Sequence, residues 1–249
     1  VTEIKHYEFG IPGLRRRALP GKLIVLEGTD GVGRSTQIAL LLEWLEANGY
    51  AAVRTGLARS TLASKGIRQA KQGHTMGDLT LNLFYATDFA DRIEKQIIPA
   101  LRAGMVCLTD RYIYSMIARA VVRGVKEPWI KSVLSFALVP DAVYYLRATT
   151  KDLLPRVIRA GGFDHWESGM DFLRLDDPYD SWIEYQTRLI AQMDAITAEY
   201  NCTVIDASRP VDEVFFDLRD RIAELLVDMR PARLGKKGEL ARQILESPS

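Results

Sequence analysis

Residues 26–36, LEGTDGVGRST, set Gly28 and Gly33 on either side of four residues and follow them with Arg34, Ser35 and Thr36. The run before them, 22–28, is short and apolar. Beyond them, 35–48 has helical spacing at Ile38, Leu41, Leu42 and Leu45 and stops at Gly49. A strand, a loop of the form G-x-x-x-x-G-[KR]-[ST] and a helix constrain the fold more than any other feature of the chain. The glycines let backbone N–H groups turn inward around phosphate oxygens, and the helix adds the positive end of its dipole. The loop therefore predicts a phosphate site, with the Ser35 hydroxyl placed to bind Mg²⁺. Arg34 stands where the pattern usually carries lysine; it is a permanent cation, but larger and planar.

The rest of the chain alternates in the same way. Strand-like runs at 50–56, 105–110, 141–147 and 202–207 are short and nearly all apolar. Helical stretches are expected near 61–72, 78–103, 112–123, 127–138, 150–160, 180–200 and 210–229. Such alternation predicts a three-layer α/β fold, a parallel sheet with helices on both faces. Residues 1–20, with the run Arg15-Arg16-Arg17, read as an extension, 21–229 as the domain, and 230–249 as a solvated basic tail. At 249 residues, one domain suffices. Lys plus Arg (33) nearly cancels Asp plus Glu (32), so the net charge argues neither for nor against nucleic acid, which only a local patch could indicate and which is not an expected partner. No apolar run reaches the roughly 18–20 residues of a membrane span. The start lacks the layout of a secretory signal, and the expected location is cytoplasmic. Cys107 and Cys202 sit in apolar runs and read as buried free thiols, and the three histidines form no ligand spacing.

Two further groups carry chemistry. Asp110-Arg111-Tyr112 ends the third strand, and the carboxyl ends of parallel strands line the ligand crevice. An acid there can hold Mg²⁺ through water, and the adjacent arginine can grip a second phosphate bidentately. Arg156 and Arg159, three apart on one helix face, lead into the glycine-flanked segment 160–171. Arginines carried by a lid can stabilise a transferring phosphoryl group.

With these residues in view, the chain resembles the thymidylate kinase family of P-loop nucleoside-monophosphate kinases. The matching blocks are LEGTDGVGRSTQ, IIPALRAGMVCLTDRY (97–112), LVPDAVYYL (138–146) and VIDASRPVDEV (204–214), in family order. The resemblance implies strand order 2-3-1-4-5, a lid at about 156–172 and a homodimer. It implies ATP at Gly28, Asp30, Gly31, Val32, Gly33, Arg34, Ser35 and Thr36, with Mg²⁺ on Ser35 and Asp110. It assigns catalysis to Arg34, Asp110, Arg111, Arg156 and Arg159. The acceptor nucleotide is expected at Asp30, Arg59, Tyr85, Phe89, Arg111 and Met116, with Tyr85 stacking on the base. The family reads thymine through an arginine and a polar residue; aligned on Pro99, those positions hold Phe89 and Met116. The acceptor pocket is accordingly expected to be less polar than thymidylate needs. Three functions remain open at this point: transfer from ATP to dTMP, the same chemistry on a less polar acceptor, and a non-catalytic nucleotide-binding regulator.

Overall fold

The computed structural model describes residues 5–11, 14, 19–58, 60, 62–73 and 76–229; Arg59, the run 15–17 and the tail at 230–249 lie outside the described residues. Five strands, β1 (Lys22–Glu27), β2 (Ala52–Gly56), β3 (Val106–Asp110), β4 (Ala142–Arg147) and β5 (Thr203–Asp206), pair in parallel. Their order is β2-β3-β1-β4-β5, as expected. The helices are α1 (Arg34–Ala47), α2 (Ser64–Gly73), α3 (Asp78–Arg92), α4 (Ile98–Arg102), α5 (Ile113–Val122), α6 (Glu127–Leu134), α7 (Thr150–Arg159), α8 (Pro178–Glu199) and α9 (Val211–Leu225).

The central strand β1 is apolar on both faces because both are covered. Leu23 and Val25 point into one core, with Phe89, Ile117, Leu134 and Tyr185. Ile24 and Leu26 point into the other, with Ile38, Leu41, Leu153 and Leu218. Each such side chain removed from water contributes about 1.5–3 kcal/mol. Leu26 lies opposite Asp110 on one side and Tyr144 on the other, so the loop leaving β1 emerges between the ends of β3 and β4. Neighbouring connections leave in opposite directions there, which opens a crevice.

The single helix expected over 78–103 is instead three pieces. Between α3 and α4 the chain widens into a π-turn, Ile93–Ile97. Pro99 has no N–H to give to an i−4 carbonyl, and its ring crowds that carbonyl. The wider turn accommodates it and keeps Ile93, Ile97, Ile98 and Leu101 buried. The segment expected as an extension is docked where it is described. His6 bridges Leu138, Tyr7 N–H donates to Ala137 O (3.2 Å), and Val139 N–H donates to Lys5 O (2.8 Å). The Tyr7 and Tyr114 hydroxyls hydrogen-bond, and the Tyr7 ring meets Tyr200 edge-on at 5.3 Å.

Both cysteines are free, Cys107 buried and Cys202 half-buried. Burial pushes each thiol up to about 12. Only about one thiol in 10⁴ is then thiolate at pH 8, and the thiolate is the reactive form. An aromatic disulfide reagent at pH 8 is expected to leave both unmodified over minutes and to titrate both after denaturation. Rapid reaction of either in the native protein would contradict the burial. Among the described residues no helix is long and apolar enough to cross a membrane.

Candidate active site

Gly28 follows β1 with φ +146°, and a Cβ there would lie 2.7 Å from the Leu146 carbonyl oxygen. Only glycine fits such a close approach. Gly33, the N-cap of α1, has φ +100° and brings no side-chain cap, and the first turn of α1 contains no acidic residue. The leading N–H groups of α1 are thus left for an anion.

Arg34 folds into the loop it follows. Its Nη1 donates to the carbonyls of Gly28 and Thr29, its Nε donates to Asp110 (2.9 Å), and its Nη2 lies 3.8 Å from Asp30. Asp110 receives a second set of donors on its other oxygen. Ser35 Oγ is 3.2 Å away, and Arg54 Nη2 lies 3.2 Å from both Asp110 and Ser35 Oγ. Burial pushes the Asp110 carboxyl upward, but the charge and hydrogen bond of Arg34, joined by Arg54, hold it below the usual range.

Arg111 has φ +71°, a left-handed backbone that costs a non-glycine residue about 1–3 kcal/mol. Three bonds hold it there. Its N–H donates to Leu26 O (3.0 Å), its carbonyl accepts from Thr109 Oγ1 (2.9 Å), and the next N–H, of Tyr112, donates to Glu27 Oε1 (2.7 Å). The Arg111 side chain reaches one oxygen of Asp30, and Arg119 of α5 reaches the other.

These two arginines border a cavity of about 160 Å³. One wall is the α3 face Asp78, Leu81, Asn82 and Tyr85; another is the α5 face Met116, Arg119, Ala120 and Arg123. Trp166 and Glu167 close it from the segment after α7. That segment is pinned to the body by Arg123, which donates to both Asp171 oxygens, to Trp166 O and to Tyr185 OH. A second cleft, of about 580 Å³, opens on the other side of the loop. Gly31, Val32, Gly33, Thr36, Arg156, Arg159 and residues 207–211 line it, and Arg156 donates to Val32 O (3.3 Å) and Ala207 O (2.9 Å).

Most of the expected residues therefore meet around one loop, with two adjustments. Phe89 does not border the cavity. One turn beyond Tyr85, it is fully buried against Tyr112 and Phe136, where α3 has sunk into the core. The cavity is also more polar than Phe89 and Met116 suggested, because Asp78, Asn82, Arg119 and Glu167 contribute to its walls. Arg156 and Arg159 lie at the second cleft, away from the Arg111 cavity.

A sequence model of the thymidylate kinase family matches residues 26–217, a span that runs from this loop to α9. The chain belongs to the thymidylate kinase family. As a member it is a nucleoside-monophosphate kinase. Its similarity to a probable thymidylate kinase 2 of Saccharolobus solfataricus is 36% identity over 208 residues, 83% of this chain and 97% of that protein. A thymidylate kinase of Leifsonia xyli is 36% identical over 82% of this chain and 95% of its own length. A probable thymidylate kinase of Thermococcus kodakarensis is 38% identical over 54% and 70%.

Residues of this thymidylate kinase family member's site that its sequence did not single out include Glu27, Arg54, Arg119 and Arg123. Arg119 had a usable signal. It lies three residues after Met116 and four before Arg123, on the same helix face. Arg54 is different, because its partners come from β3 and the start of α1, and only the folded sheet brings them together.

Proposed function

We propose that this family member moves the γ-phosphoryl group of ATP to the 5′-phosphate of dTMP. The observation that carries the reading is the pair of clefts, one on each side of the loop 28–33, with the unsatisfied start of α1 between them. ATP takes the cleft of Gly31, Thr36, Arg156 and Arg159, with its phosphates on the loop N–H groups and Arg34. dTMP takes the cavity of Tyr85 and Arg111. An oxygen of its phosphate attacks the γ-phosphorus, the bond to the bridging β–γ oxygen breaks, and ADP leaves. Such a transfer needs positioning and charge stabilisation more than covalent help from the protein.

Mg²⁺ fits the donor set, since Ser35 Oγ and Asp110 Oδ2 are oxygen ligands 3.2 Å apart that already share one cationic nitrogen, Arg54 Nη2. Bound there with ATP, it would neutralise phosphate oxygens. Arg54 would yield that position and keep its charge beside the β3 end. Arg156 and Arg159 act from the outer cleft as the lid arginines. Residues 21–229 form the kinase unit, with the lid at about 156–172. A homodimer in the cytoplasm belongs to the same proposal. It is supported by the exposed leucines Leu79 and Leu83 on α3 and Leu62 ahead of it, and by the two free thiols.

Met116 on the cavity wall favours a second reading, the same transfer to a different nucleoside monophosphate. Labelled ATP and Mg²⁺, incubated with the protein and a panel of dTMP, dUMP, other monophosphates and nucleosides, separates the two. Labelled dTDP is the expected product. Label on another monophosphate alone would replace dTMP as acceptor, and ATP binding with no transfer would leave a nucleotide-binding regulator.

A further inference from the structure

Of the arginines that face the acceptor cavity, Arg123 has a full set of partners. Its five N–H directions go to Asp171 twice, to Tyr185 OH, to Trp166 O and to Arg119 O. It is a pin between α5 and the segment over the cavity. Arg119, four residues earlier on the same face, is different. Its Nη2 reaches Asp30, while its buried Nε has no hydrogen-bond partner among the described residues. Arg111 is in the same condition: Nη2 on Asp30, Nε buried and unpartnered. A buried guanidinium N–H without an acceptor costs about 1–3 kcal/mol, and here two such side chains border one cavity.

The local charge points the same way. Arg111 and Arg119 share one carboxylate, Asp30, which also lies 3.8 Å from Arg34. Two crowded cations with spare donors match an oxyanion of two negative charges better than a neutral sugar or base.

We propose that Arg119 is a second acceptor-phosphate residue, forming with Arg111 a two-guanidinium clamp on the 5′-phosphate dianion of the nucleotide in this cavity. This rests on the reading of the cavity as the acceptor site. The clamp selects phosphate monoesters over nucleosides, and it holds the attacking oxygen facing the loop while Asp30 keeps both guanidinium planes in register. A purely structural role, in which Arg119 does no more than fix Asp30, makes a different demand: it would affect every occupant of the cavity alike.

Calorimetric titration of dTMP and of thymidine into the parent protein, Arg119→Met and Arg119→Lys separates these roles. Arg119→Met is expected to weaken dTMP binding about 10–100-fold, the loss of one or two charge-assisted bonds, and to leave thymidine within about twofold. Arg119→Lys should recover part of the loss, because it restores the charge without the fork. In turnover the KM for dTMP should rise more than kcat falls. Equal weakening of dTMP and thymidine, or no weakening of dTMP, would overturn the clamp. If Arg119→Met fails to fold, Arg119→Lys decides by the same comparison. Should another monophosphate prove to be the acceptor, that nucleotide and its nucleoside are the pair compared, and dTMP alone is lost from the reading. A parent protein that binds no nucleoside monophosphate would overturn both.

Discussion

Arg34→Met is expected to slow phosphoryl transfer by about 10³-fold or more, and Arg34→Lys to recover only part of it. Most loops of this pattern carry lysine, so the second half of the expectation runs against the motif. The reason is the number of partners. The Arg34 guanidinium contacts Gly28 O, Thr29 O and Asp110 at once and lies 3.8 Å from Asp30. A single ammonium can replace the bonds to the carbonyls or the bond to Asp110, but a lysine has no equivalent of Nε from which to make both. Losing the Asp110 bond frees a carboxylate that Arg34 and Arg54 jointly hold ionised below the usual range. The loop region would then lose one of its ties to the end of β3, with those of Ser35 to Asp110 and Arg111 to Asp30 remaining, and a factor of about 10–100 in kcat is expected for lysine, or roughly 1.4 kcal/mol per decade. Steady-state rates with saturating ATP and dTMP, alongside urea midpoints that separate lost chemistry from lost fold, provide the measurement. An Arg34→Lys protein as fast as the parent would show that the extra guanidinium contacts are dispensable.

The same residue marks the limit of what the chain's sequence reveals. The order of strands, the glycine loop and the placement of Asp110 and Arg111 at a strand end follow from apolar runs and punctuation, because local chemistry sets them. Gly28 and Gly33 were legible for the same reason: a backbone with φ +146° or +100° has few other choices. What could not be read is which polar groups share a partner. Asp30 joins Arg34, Arg111 and Arg119 from the start of one helix, a strand end and a second helix, and no spacing rule links 30 to 119. Phe89 misled because alignment gives a position along a helix, whereas the depth at which α3 enters the core decides whether that position meets a ligand. The break in the helix after α3 was hidden too, because the apolar spacing runs on through the wider turn.

Glu27→Ala should lower stability by about 3–5 kcal/mol, the sum of two orphaned N–H groups and a small cavity, which for a domain of this size shifts the melting temperature by on the order of 10 °C. Glu27 is fully buried at the end of β1. Its Oε1 accepts from Tyr112 N–H (2.7 Å) and Ser115 N–H (3.2 Å), the N-cap residue and the third residue of α5. The N-cap side chain makes no capping bond of its own, so the cap of α5 is supplied by a neighbouring strand. Burial, opposed by those N–H groups and by Arg34 and Arg111, raises the pKa of Glu27 above its ordinary 4.5. The folded state therefore favours the protonated form. Its contribution to stability is fullest below pH 4.5 and declines as pH rises from there through the folded-state value. Glu27→Gln keeps an oxygen for the two N–H groups and cannot ionise, so it should retain most of the stability and lose this part of the pH dependence. Melting curves of the parent and both variants between pH 4 and 8 test each statement. An alanine variant that melts within about 2 °C of the parent would show that α5 finds its cap elsewhere. The consequence reaches the site, because α5 carries Met116 and Arg119, is capped by Arg123 and begins two residues after Arg111. A helix that loses its cap loosens one wall of the acceptor cavity, so in Glu27→Ala the KM for the acceptor should rise at temperatures where the protein is still folded.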